Sequence, residues 1–390
     1  MKWPADRIST SSPKSFGMYE KALKNYPNAD LIHLEVGLPG FDTPVHIKEA
    51  AIAALRAGKV HYSAFAGTIE LRRAIVERLK THNDLRVKES EVIVTNGLTH
   101  ASYAVFMAAL DAGDEVILLE PYYPQHINKI EMAGGKVVLA PLNKAKGFTI
   151  DAEALESRIT KKTRMIALVN PSNPTGRVFS RDELGILARI AIKHDLLIAS
   201  DEVYEQIVYD GNRHTSIASL PGMFERTFSM FAFTKAYAMD GWRIGYVACH
   251  ERFVPAILKI TANDVSHVNT FIQEGARAAL EGPQGAIAEM LASDRKRRDL
   301  VVSRMNQMSG VTCDAPQGSI YAFPDISATG KPSQKVADEI LEKCQVVTEA
   351  GTFYGSAGEG HLRVCFGTEP YERIEEAMNR MARYFAGSLS

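Results

Sequence analysis

Cysteine is scarce in this chain. Its 390 residues hold four, Cys249, Cys313, Cys344 and Cys365, none in a CxxC pair. That spacing excludes a disulfide framework and gives no sign of a metal-ligand cluster; scattered thiols in a chain this long read as small buried hydrophobes. An excess of charge of one sign is also missing. Lys and Arg total 45 against 46 Asp and Glu, a net charge of −1, which argues against nucleic acid or an anionic membrane surface as partner. No uninterrupted apolar run approaches the ~18 residues that a membrane span needs. The opening stretch MKWPADRISTSSPKSFGMYE has no apolar core of signal-peptide type, so the expectation is a reducing, cytoplasmic compartment. Internal repeats, low-complexity tracts and long linkers are absent as well. What remains is 46% hydrophobic and 23% charged, the composition of a soluble globular chain long enough for two or three domains.

From residue 91 onward short apolar runs recur: EVIVTNG (91–97), DEVILLEP (114–121), KVVLAPL (136–142), RMIALVNPS (164–172), LLIASDEVY (196–204), RTFSMFAFTK (226–235) and RIGYVACH (243–250). Most lack polar alternation, as strands buried on both faces do. Helical patterns lie between several of them; SRDELGILARIAIKH (180–194) opens on a Ser cap and repeats its apolar residues at helical spacing. The pattern predicts an α/β fold, with a mostly parallel seven-stranded sheet flanked by helices in a large domain over 45–285. After residue 285 the texture changes to a long charged helix, short strands and a closing amphipathic helix, EPYERIEEAMNRMARYFAG, with Glu early and Arg late as the helix dipole favours. Residues 1–44 and 286–390 are expected to form a smaller α+β domain packed closely on the first.

One lysine, Lys235, stands among apolar and aromatic neighbours in SMFAFTKAYAMDGWRIGY (229–246). A lysine at the end of an apolar strand is usually a snorkelling surface residue. Here NPSNPTG (170–176) and SDEVYE (200–205) end the two preceding strands, and in a parallel sheet ligands bind at the carboxyl ends. Asn173, Asp201, Tyr204 and Lys235 should therefore gather on one rim. Burial disfavours the ammonium and makes the amine a nucleophile competent to form an imine with a carbonyl cofactor. Asp201, otherwise a loop cap, suits a carboxylate that keeps a ring nitrogen protonated; Tyr204 and Asn173 offer donors to an oxygen on the same ring. TNGLTHASYAVFMAAL (95–110) supplies a glycine turn entering an apolar helix, where the N–H groups of Gly97, Leu98 and Thr99, the Thr99 hydroxyl and the Arg243 guanidinium would make a phosphate site.

In this order the residues resemble the class I/II aminotransferase family, the fold-type I pyridoxal-phosphate enzymes, over nearly the whole chain. GLPGFDTP (37–44), YSAFAGTIELRRAI (62–75), TNGLTHA, EPYYP, NPSNPTG, SDEVY, the run from Lys235 to Arg243, PQGSIYAF (316–323) and HLRVCFG (361–367) follow one another as in that family. The resemblance implies pyridoxal 5'-phosphate as cofactor, with Lys235 as Schiff-base lysine and general acid/base, Asp201 as partner of the pyridine nitrogen, and Asn173 and Tyr204 as donors to the phenolate oxygen. It further implies Tyr123 stacked on the ring, Arg363 as a bidentate clamp for the substrate α-carboxylate, Gly37 beside that carboxylate, and Tyr62 reaching the phosphate of a neighbouring subunit, hence a homodimer. The activity implied is ping-pong transfer of an amino group between an L-amino acid and a 2-oxo acid. A lyase, cyclase or oxidase on the same cofactor is the alternative, and a non-catalytic cofactor-binding regulator is a weaker one.

The sequence departs from the family pattern in places. Ala232 stands where Ser or Gly is usual, so a phosphate-binding hydroxyl is missing unless Thr234 or water replaces it. AGTFYG (350–355) puts Tyr354 in place of Phe, which predicts an extra hydroxyl at the substrate entrance. Thr99 replaces the Lys often found in aspartate-specific members, and Lys14 and Phe16 replace small hydroxyl residues. A strict dicarboxylate preference is therefore not expected; Phe16 and Tyr354 suit an apolar or aromatic side chain, and Lys14 a distal acid. His100, just past the phosphate turn, is expected to be a structural helix residue.

Overall fold

The strands of the computed structural model, which describes residues 17–387 together with Trp3 and Ile8, include one in each of the seven apolar runs. They are β1 (Ile32–His33), β2 (Val92–Thr95), β3 (Glu115–Glu120), β4 (Lys136–Pro141), β5 (Thr163–Val169), β6 (Leu197–Asp201), β7 (Thr227–Ala232), β8 (Gly245–Cys249), β9 (Tyr321–Ala322), β10 (Val346–Val347), β11 (Glu349–Ala350) and β12 (Leu362–Cys365). Seven form one sheet in the order β2-β8-β7-β6-β5-β3-β4. β8 runs antiparallel to both its neighbours; the other pairs are parallel. Every residue of β2, β6 and β8 is buried, which is why these strands show no polar alternation. β4, at the edge, is only partly covered.

Helices pack on both faces. The apolar helix Leu98–Ala109 lies on one face with Ile93, Phe228 and Val247 in its core cluster. The helix Arg181–Lys193 lies on the other, with Ile117, Ile166 and Ile198. The latter begins where the sequence expects. The Ser180 hydroxyl accepts the Glu183 N–H at 3.2 Å and the Glu183 carboxylate accepts the Ser180 N–H at 3.0 Å, a reciprocal cap on otherwise orphaned donors.

The remaining strands form a parallel pair, β1–β10, and an antiparallel ladder, β11-β12-β9. They share a hydrophobic cluster with the helices Gly17–Asn25, Gly285–Met305, Ser333–Cys344 and Tyr371–Phe385, through residues such as Met18, Val301, Ile340 and Met378. Tyr204, Ile207 and Tyr209 belong to the same cluster, so the segment after β6 ties the large sheet to the small ones. All four cysteines are buried and unpaired. Among the described residues no helix is long and apolar enough to cross a membrane.

Candidate active site

The carboxyl ends of β5, β6 and β7 meet at a cavity of about 320 Å³, within the range of small-ligand sites. Each strand stops where its apolar run meets a turn, and each turn delivers a polar side chain to the rim. Asp201 is the last residue of β6 and is 2% exposed. Its Oδ1 accepts the Val203 N–H at 3.2 Å, and its Oδ2 lies 3.5 Å from His126 Nε2. Strand β7 ends at Ala232 rather than running on to Lys235. Lys235 consequently sits in the following turn, half-buried, with its Nζ donating to the Gly37 carbonyl. Burial pulls its pKa down to about 8.

The expected phosphate end is built by the entry to the helix Leu98–Ala109. Gly97 has φ +80°, and a Cβ there would lie 2.7 Å from Arg243 Nη2, so only glycine lets this turn approach the guanidinium. Arg243 is itself at φ 54° and donates from Nη1 to the Asp240 carbonyl at 2.8 Å. Leu98, Thr99 and Thr234 line the same end of the cavity, so a hydroxyl is present near the position that Ala232 leaves without one. His100 reaches back to the turn ahead of the helix, where its Nδ1 accepts the Asn96 N–H at 3.0 Å.

At the opposite end stands Arg363, 7% exposed, on β12. Its Nη1 donates to Asn173 Oδ1 at 3.1 Å and its Nη2 to the Glu35 carbonyl, while Nε has no partner among the described residues. The guanidinium carbon sits 4.4 Å from the Tyr321 ring centroid and 4.9 Å from that of Tyr354, a cation held between two aromatic faces. The Tyr321 hydroxyl meets that of Tyr204 at 2.9 Å, and burial raises the pKa of both phenols, so both remain protonated donors. A Cβ on Gly37 would fall 1.8 Å from the Tyr321 hydroxyl; the loop glycine is required by this contact. Tyr354 corrects the expectation of a hydroxyl at the entrance. It is 1% exposed, because its ring packs against Arg363 instead of facing solvent.

Tyr123 lines the cavity, its ring edge-on to His126 at 5.3 Å. Tyr62 is set apart: it is 88% exposed, against His267 at 4.8 Å. Lys14 and Phe16 lie outside the described residues. Sequence reasoning passed over four groups. His126, three residues after Tyr123 on a helix, touches Asp201. Tyr321 lies in the quoted PQGSIYAF segment but had no role assigned. Glu35 and Glu349 are buried acids lining the cavity, and an acid inside an apolar strand pattern was the available signal for Glu349.

These groups fit pyridoxal phosphate by their chemistry. A helix N-terminus with a guanidinium and hydroxyls suits the phosphate, a buried carboxylate suits a ring nitrogen, and an amine of lowered pKa lies between them.

Comparison with known proteins agrees. Residues 29–381 match the family model for aminotransferase class I and II. The chain is 39% identical to the aromatic-amino-acid aminotransferase 2 of Thermococcus litoralis, over 90% of this chain and 91% of that one. It is likewise 39% identical to the aspartate aminotransferase of Pyrococcus abyssi, over 91% of each. Among solved structures, the aspartate aminotransferase of Thermus thermophilus with maleate superposes with a TM-score of 0.92 at 35% identity, covering 98% of this chain and 100% of that one. The aromatic aminotransferase of Pyrococcus horikoshii superposes at 0.90 with 38% identity, covering 95% and 99%. With its seven-stranded sheet, its lysine-and-aspartate cavity and these relatives along almost its whole length, the chain belongs to the class I and II aminotransferases, enzymes that work with pyridoxal phosphate.

Proposed function

We propose that the cavity transfers an amino group from an L-amino acid to a 2-oxo acid by a ping-pong mechanism, with Lys235, Asp201 and Arg363 as its working groups. When bound, pyridoxal phosphate supplies an aldehyde that takes up the amino group and a ring that withdraws electrons from the bonds at the substrate Cα. Asp201, held out of water, would face the ring nitrogen and keep a proton on it. His126, its imidazole kept neutral because burial lowers its pKa, donates Nε2–H toward Asp201 and fixes its orientation. Lys235 Nζ would hold the aldehyde and, once a substrate amine takes its place, would serve as the base for the Cα proton and as the acid that delivers it to the cofactor side. Tyr204 and Asn173 would hold the ring oxygen, Tyr123 would cover the ring face, and Gly97, Leu98, Thr99 and Arg243 would hold the phosphate.

Arg363 takes the α-carboxylate, with Asn173 and the Gly37 backbone beside it. Donor and acceptor both carry that carboxylate, so they compete for one clamp and must bind in turn. Residues 45–285 would act as the cofactor-holding domain, with 1–44 and 286–390 carrying the clamp. Leu38, Val45, Ile52, Leu55, Val60 and Phe65 are exposed close to Tyr62 in the chain, an apolar run that a homodimer would cover, bringing Tyr62 to the phosphate of the partner subunit. Cytoplasmic residence fits four unpaired thiols.

The single observation that carries the reading is the convergence of Lys235, Asp201 and Arg363 on one cavity. Arg363→Lys keeps the charge but loses the planar fork. It should lower kcat/KM for every amino acid by about a hundredfold, the equivalent of one to two charged hydrogen bonds, mostly through KM. Unchanged kinetics in a steady-state assay with alanine would remove Arg363 from the site.

A further inference from the structure

The three cations lining the cavity, Lys235, Arg243 and Arg363, are all used by the proposed function; three of its carboxylates, Asp240 beside Arg243 and the pair Glu35 and Glu349 beside Arg363, are not. Glu349 stands directly opposite Arg363 in the β11–β12 ladder. Residues facing each other in an antiparallel pair project from the same face, with Cβ atoms about 5 Å apart, so Glu349 enters the cavity alongside Arg363. It is 4% exposed, and its Oε2 accepts the Met18 N–H at 3.2 Å. Glu35 is 3% exposed; its Oε1 is bonded to His33 Nδ1 at 2.8 Å, and its Oε2 has no hydrogen-bond partner among the described residues. The buried Tyr354 hydroxyl has none either. Polar atoms left unpaired at a ligand cavity are costly in the empty site, and both of these are satisfied by a hydrogen-bond donor.

Beyond Arg363, then, the cavity offers two buried carboxylates and a hydroxyl, with Tyr19 and Phe353 as walls, and no further cation among the described residues. We propose that this half of the cavity is the subsite for a substrate side chain ending in an ammonium or guanidinium, and that Glu349 with Glu35 makes the enzyme prefer basic over dicarboxylic amino acids. The proposal rests on the reading of Arg363 as the α-carboxylate clamp. A side-chain carboxylate entering here meets two acids held out of water and finds no partner in them, whereas a cation pairs with them. Burial pushes the Glu349 carboxyl up to about 7, against the Met18 N–H and Arg363, which pull it down; a docked ammonium favours the ionised form.

Calorimetry on the holoenzyme tests this with two carboxylates of similar length that lack an α-amino group, 6-aminohexanoate and adipate, which differ at the far end; an unchanged cofactor absorbance shows that the amine has not reached the aldehyde. The amine should bind about tenfold more tightly, as expected for one charge-assisted hydrogen bond. Glu349→Gln, which keeps the shape and the Met18 acceptor, should cancel most of that ratio. Arg363→Lys should weaken both ligands and so place them in this site. In the spectroscopic half-reaction, lysine or ornithine should then outpace aspartate and glutamate. Adipate binding as tightly as 6-aminohexanoate, or a ratio unmoved by Glu349→Gln, overturns the proposal. Alanine separates the two levels of inference. If alanine reacts while dicarboxylates outbind amines, the side-chain subsite alone is wrong; if alanine leaves the cofactor spectrum unchanged, the aminotransferase reading falls and this proposal with it.

Discussion

At the scale of single residues, the site depends on what burial does to one amine. The Lys235 pKa falls to about 8 from the ordinary 10.5, chiefly through desolvation, with Asp240 and Cys365 pulling it up and Arg363 and Arg243 pushing it down. The sign is the useful one: the proton is held less firmly than in water, so the free amine is populated near neutral pH. In the apoenzyme, the rate of pyridoxal phosphate capture, followed by its absorbance, should rise with pH and level off with a midpoint near 8. A rise continuing toward 10.5 would show an amine in bulk water. Lys235 was legible in the sequence because NPSNPTG and SDEVYE end the strands before it and place their polar residues on the same rim. Tyr354 was not, because its burial is fixed by Arg363 on another strand, and no local pattern reports that contact.

At the scale of elements, most of the fold could be read because burial and sequence pattern are the same fact for strands such as β2 and β6, wholly covered on both faces. Chain direction is weaker: β8 has the same apolar texture as its parallel neighbours yet runs antiparallel. Cross-strand register is not legible, and with it went Glu349, whose role appears only once β11 is laid against Arg363. The helix Arg181–Lys193 is the opposite case, since its cap is entirely local. Ser180→Ala removes one side of that cap and should cost about 1 kcal/mol, read as a lower midpoint in chemical denaturation with unchanged kcat, because Ser180 lines no part of the cavity. Glu183 also receives Arg177 at 2.9 Å and the Ile150 N–H at 3.3 Å, so the cap is anchored on two sides. A variant that loses activity along with stability would mean that this helix positions Asn173 more directly than these contacts indicate.

At the scale of the whole molecule, Tyr62 is the residue whose place one chain leaves unexplained. A phenol 88% exposed beside exposed Val60 and Phe65 is an expense for a monomer, and a contribution to a neighbour's phosphate site gives it a use. Mixed dimers separate the two cases. Lys235→Ala abolishes turnover at its own site but keeps Tyr62; Tyr62→Phe keeps Lys235 but should weaken cofactor retention by about tenfold, the worth of one charged hydrogen bond. If Tyr62 acts across the interface, a heterodimer of the two variants contains one complete site, made of Lys235 from the Tyr62→Phe chain and the hydroxyl from the Lys235→Ala chain. Unfolding the variants together and refolding them should then restore cofactor affinity to a fraction of the sites, measured by titrating pyridoxal phosphate against activity. If Tyr62 acts within its own chain, the surviving lysine always lacks its hydroxyl, and the mixture titrates with the weakened affinity alone. Sedimentation of the unaltered protein at twice the 42.9 kDa chain mass is the matching physical requirement, because a stable monomer with full cofactor affinity would leave the exposed run at 38–65 without the partner this argument needs.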